Sequence, residues 1–84
     1  MTRKDFEKDL LLYLNKLAGS ESKNHILLDT AIFEKGIIDS LKILDLIAFV
    51  EKYLQIRIPD EMVIMNNFKT AKAICAAFWE KRKK

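Results

Sequence analysis

Apolar residues recur at helical spacing along three long stretches of this chain and lose that spacing along one. Phe6, Leu10, Tyr13, Leu14 and Leu17 form the first stripe, with Lys4, Glu7, Lys8 and Lys16 around it. They predict a helix from about Arg3 to Leu17 or Ala18. Thr2 with Asp5 three residues on is a weak capping box, because Glu or Gln usually fills the second place. Gly19 suits the end of that helix, and Ser20 to Asn24 is a polar loop. Ile43, Leu46, Ile47, Val50 and Leu54 form the second stripe and predict a core-facing helix from Ser40 to about Leu54. Leu41, Leu44, Asp45, Ala48, Glu51 and Lys52 lie off it. Leu41 and Leu44 are then either covered by the preceding loop or exposed as part of a contact surface.

Gln55 to Pro59 reads as a short extended connector, because a residue before proline avoids the helical region. Pro59 suits the opening of a short third helix, about Asp60 to Met65. Asn66 to Lys69 follows as a loop. Thr70 caps a last helix over about Ala71 to Lys81, with Ala73, Ile74, Ala77 and Phe78 facing inward. The stretch without a period is His25 to Asp39, where Ile26, Leu28, Ile32, Phe33, Ile37 and Ile38 are scattered anchors and Asp29-Thr30 a turn. So long a loop in a small domain is usually functional or pinned to the core. Gly36 allows a positive φ just before its end.

Composition agrees with a helical reading. Half of the 84 residues are hydrophobic, and Gly and Pro together number three. The length makes one domain, residues 1–84, without repeats or an internal linker. Charged residues from Arg3 to Asp9 leave no secretory h-region, and no apolar run approaches the length of a membrane span. Cys75 has no partner for an internal disulfide, which fits a reducing cytoplasm. Met1 and the charged ends favour a free-standing protein. The net charge of +3 is uneven: residues 1–38 sum to zero, 39–66 to −2 and 67–84 to +5.

Candidate chemistry centres on Asp39-Ser40-Leu41, where a loop meets the most apolar helix. A serine there sits beside free backbone N–H groups and the positive end of a helix dipole, where an anion such as a phosphodiester is stabilised. Asp and Ser are also among the best N-caps, so the dipeptide alone reads as a cap. Ser40 has no plausible base partner, since the single histidine, His25, lies in the preceding loop. That favours a modification site over a nucleophile of the protein's own. His25 reads as a loop residue and Cys75 as a small buried hydrophobe; together they do not make a metal site. Trp79 with Lys72 and the basic end at Lys81, Arg82, Lys83 and Lys84 reads either as an anionic-surface patch or as a solvated terminus.

Phe33-Glu34-Lys35-Gly36-Ile37-Ile38-Asp39-Ser40-Leu41, then a Leu- and Ile-rich helix, Ile58-Pro59-Asp60 and Asn67-Phe68-Lys69-Thr70, resembles the acyl carrier protein family, peptidyl carrier domains included. The resemblance runs from about Thr2 to Phe78. It implies an all-α fold, an antiparallel four-helix bundle with a short third helix and a long loop between helices one and two. It implies 4′-phosphopantetheine on Ser40, with Asp39 and Leu41 completing the recognition motif and an acyl or aminoacyl thioester on the arm. It implies no enzyme and no catalytic residue, but a cytoplasmic carrier, a monomer that neither binds nucleic acid nor inserts stably in a membrane. Its partners would be a phosphopantetheinyl transferase and acyl-loading, acyl-transfer or condensing enzymes of a specialised fatty-acid, polyketide or peptide pathway. Lys42, Leu44, Asp45, Ala48 and Glu51 would form the docking face. Ile43, Leu46, Ile47, Val50, Ile64 and Ile74 would line a shelter for an apolar cargo. Two departures stand out: most of the family is clearly acidic, and Lys42 stands where an acidic residue is common. A small basic helical module binding nucleic acid, membrane or a protein is the rival reading.

Overall fold

The computed structural model describes residues 2–18 and 26–82. Gly19, the polar loop after it, His25 and the last two lysines lie outside the described residues. Four α-helices follow in order: α1 (Arg3–Ala18), α2 (Lys42–Leu54), α3 (Met65–Phe68) and α4 (Ala71–Phe78). Single 3-10 turns stand at Asp60–Met62 and Trp79–Lys81, and the described residues hold no strand. The fold is all-α.

Each helix contributes one apolar stripe to a shared core. Phe6, Leu10 and Leu14 of α1, Leu46, Val50 and Leu54 of α2, and Ala71, Ile74, Cys75 and Phe78 of α4 are all buried. Their spacings of three and four residues keep each set on one face. Phe6 packs against Tyr53, with ring centroids 5.2 Å apart, and against Trp79 at 5.9 Å. The Tyr53 hydroxyl donates to the Asp9 carboxylate at 2.5 Å and ties α2 to α1. That hydrogen bond, with burial and the Asp9 charge behind it, pushes the Tyr53 pKa up to about 12.

The aperiodic stretch is as much a part of the core as the helices. Ile26, Ile32 and Ile38 are buried, each worth about 1.5–3 kcal/mol relative to exposure. The Asn15 side chain accepts from the Ile26 N–H at 3.0 Å. The Lys72 N–H donates to the Leu28 carbonyl at 2.9 Å, and the Ile32 N–H to the Lys69 carbonyl at 3.1 Å. The loop is thus bonded to α1 at its start and to the α3–α4 junction at its middle. Gly36 takes φ +73°, a left-handed turn that a side chain would strain. From there the chain runs through Ile38 to the start of α2.

Several elements differ from what the pattern alone predicts. α2 begins at Lys42, and Ser40 and Leu41 form the turn before it, because Asp39 caps the helix from three residues upstream. Ile43 and Ile47 are half-buried, since each borders a groove instead of the closed core. The third helix is a 3-10 turn that stops at Met62, and the segment predicted as a loop holds α3. Burial of Phe68 and the 2.8 Å bond from the Asn67 side-chain amide to the Met62 carbonyl account for that turn of helix. α4 tightens into 3-10 geometry at Trp79, and Ala71 and Cys75 take the buried positions while Ala73 and Ala77 are half-buried.

Candidate functional site

Local geometry at the start of α2 separates the roles of Asp39 and Ser40. One Asp39 carboxylate oxygen accepts from the Leu41 N–H at 3.0 Å and the Lys42 N–H at 2.8 Å. The Asp39 carbonyl accepts from the Ile43 N–H at 3.0 Å, and the Leu41 carbonyl from the Leu44 N–H at 3.3 Å. Asp39 is therefore the cap, and it takes the donors that an outside anion would have used. Its pKa is held below the ordinary carboxylate value first by the Lys42 N–H, then by the Leu41 N–H, with the Lys42 charge adding.

Ser40 is exposed, and its hydroxyl makes no hydrogen bond among the described residues. A pinned loop on one side and a capped helix on the other fix its backbone. Such a hydroxyl is open to modification from outside. The fold's own thiol is the opposite case. Cys75 is fully buried, and burial, with the Glu7 charge, pushes its pKa up to about 11.

Around Ser40 the surface is mixed. Leu41 is 77% exposed and Leu44 65%. Asp45, Ala48 and Lys52 are exposed on the same side of α2, and Lys42 is half-buried on its flank. Glu51 does not stand free with them: its carboxylate accepts from the Ile58 N–H at 2.8 Å and braces the connector after α2.

Val63, Ile64 and Met65 are also exposed, and sequence reasoning had no place on this surface for Val63 and Met65. The signal was the unbroken apolar run Met62 to Met65 after a helix too short to bury it. Together with Phe33, Ile43 and Phe68 the three line a pocket of about 110 Å³. A wider open groove, lined in part by Leu44, Ile47, Ile58 and Val63, runs beside it. Of the six residues that sequence reasoning gave to a cargo shelter, Ile43 and Ile64 line the pocket and Ile47 the groove. Leu46, Val50 and Ile74 have no exposure and belong to the closed core.

At the other end of the chain Trp79 is a core residue stacked on Phe6. The Arg82 guanidinium lies 4.0 Å above its ring and donates to its carbonyl. The ring is thus withheld from the basic terminus as a stacking surface for bases or lipid.

The family described as "Phosphopantetheine attachment site" matches residues 13–78, a span that holds the loop, Ser40 and α2 to α4. The chain belongs to this family of phosphopantetheine-binding carrier domains, and 4′-phosphopantetheine is its cofactor. Among solved structures, a chain from a "Crystal structure of FAD-dependent dehydrogenase" superposes with a TM-score of 0.72 at 20% identity, over 82% of this chain and 97% of that one. At that identity the likeness is one of fold alone. No curated protein matches at a significant level.

Proposed function

We propose that Ser40 carries the 4′-phosphopantetheine arm and that the protein is a carrier with no catalysis of its own. The arm's terminal thiol holds an acyl or aminoacyl group as a thioester, for delivery in the cytoplasm to enzymes of a specialised fatty-acid, polyketide or non-ribosomal peptide pathway. The observation that supports this best is the exposed Ser40 hydroxyl, without a hydrogen bond among the described residues, at a capped helix start inside the family-matched span. Asp39 holds the turn that presents the hydroxyl, and exposed Leu41 offers an apolar contact to the modifying transferase. Incubation with coenzyme A, magnesium and a broad-range phosphopantetheinyl transferase adds one arm, read by intact mass and peptide mapping to Ser40. No gain with several such transferases, or a gain that persists in Ser40→Ala, overturns the assignment.

Lys42, Leu44, Asp45 and Ala48 form the partner-docking face, extended by Val63, Ile64 and Met65, with Glu51 at its edge. Mixed charge weakens long-range steering by a uniformly basic partner and rewards a partner with a matched pattern. Dedicated enzymes are accordingly its main users. In competition with its host's housekeeping carrier for a ketosynthase of fatty-acid synthesis, the armed protein is the poorer substrate at low and moderate salt. Comparable turnover refutes this partner choice.

A further inference from the structure

We propose that Lys42 is the cation that pairs with the phosphodiester of the arm on Ser40; this rests on Ser40 as the attachment point. A phosphate at a helix start is ordinarily held by the free N–H groups of the first turn. Here those groups are spent. Leu41 and Lys42 donate to the Asp39 carboxylate, Ile43 to the Asp39 carbonyl and Leu44 to the Leu41 carbonyl. The group that displaced the outside anion is itself an anion, one residue from Ser40. An arm on Ser40 therefore sets a second negative charge beside the first, and the hydrogen bonds that cap the helix keep Asp39 ionised.

Lys42 is placed to balance that pair. It opens α2 two residues after Ser40 and is half-buried. Its charge adds, after the backbone hydrogen bonds, to what holds the Asp39 pKa down. The other cation of α2, Lys52, lies ten residues further on, about 15 Å along the helix axis. Loading the arm thus ties up a positive charge at the helix start. The docking face of the armed protein is more uniformly negative than that of the bare one, which gives a partner an electrostatic means of telling them apart.

The test compares the bare and armed proteins, with intact mass showing whether the arm is present. The ammonium pKa of each lysine is followed by NMR. Arming raises that of Lys42 by about 0.2–0.7 pH unit, the range expected for an exposed ion pair, and moves Lys35 and Lys52 less. The rise persists in Asp39→Asn, because the phosphodiester is its source. In armed Lys42→Gln the ³¹P resonance of the diester moves away from its wild-type position; in armed Lys35→Gln it stays. A mass gain with no rise at Lys42, an equal rise at Lys35 or Lys52, or a ³¹P resonance indifferent to Lys42→Gln overturns the pairing and leaves the carrier reading standing. Failure to add the arm removes both.

Discussion

At the start of α4, Thr70 turns its hydroxyl inward and accepts from the Ala73 N–H at 3.0 Å. At the start of α1, the Thr2 hydroxyl accepts from the Asp5 N–H at 3.2 Å, while the Asp5 carboxylate accepts from the Thr2 N–H at 3.1 Å. At the start of α2 the capping work falls to Asp39, and the Ser40 hydroxyl has no bond among the described residues. All three sites have a hydroxyl residue where a helix begins, and by composition alone each is a good cap. What sets the α2 site apart is the acid one position before the serine. Because Asp39 satisfies two first-turn donors at once, the hydroxyl beside it can be given to chemistry without loosening the helix.

The widest gap between these sites appears when the hydroxyls are removed. Ser40→Ala abolishes loading of the arm and changes stability by less than about 0.5 kcal/mol, since no cap is lost. Thr70→Ala does the reverse: it costs about 1 kcal/mol and leaves loading intact. Urea denaturation with intact mass on both variants reads the contrast. Equal destabilisation by the two would erase it.

Asp39→Ala comes next and lowers stability, whereas Asp39→Asn, still an acceptor, costs less. Acid distinguishes these variants further. The folded-state pKa of Asp39 is lowered, so the stability from its charged cap is fully present above the ordinary value of 3.8. That stability is lost as pH falls through the lower folded value. The difference between wild type and Asp39→Asn should therefore shrink in acid; a difference unchanged by acid would mean that the charge adds nothing to the cap.

The smallest effect lies in the coupling of the two residues. Adding Ser40→Ala to Asp39→Ala should cost a few tenths of a kcal/mol more than Ser40→Ala does alone, because a serine freed from the aspartate's shadow can cap the helix itself. Strict additivity would show that Ser40 never takes over.

Much of this arrangement is legible along the chain. The α1 stripe, its capping box, the Thr70 cap and the left-handed Gly36 all stand where spacing and residue type put them. Periodicity reports reliably on a helix long enough to repeat. It reports poorly on Met62 to Phe68, which is too short for a period, and there a turn of helix formed because Phe68 had a core to enter. Exposure of Leu41 and Leu44 was legible as one of two outcomes, since the stripe of α2 leaves them outside it whatever the loop does.

Residue order was enough to specify helix type, the approximate limits of α1, α2 and α4 and the serine at the loop–helix junction, because these depend on neighbours a few positions apart. The division of labour between Asp39 and Ser40 needed the folded turn, since both side chains can reach the same donors. Glu51, off the apolar stripe and given to the docking face by the resemblance, braces the connector instead, because the chain folds back and brings the Ile58 N–H to its carboxylate. Trp79 passed for part of a basic surface until α1 supplied Phe6 as its stacking partner. In each of these the partner comes from another part of the fold, and packing alone decides whether a polar or aromatic side chain faces water or its own protein.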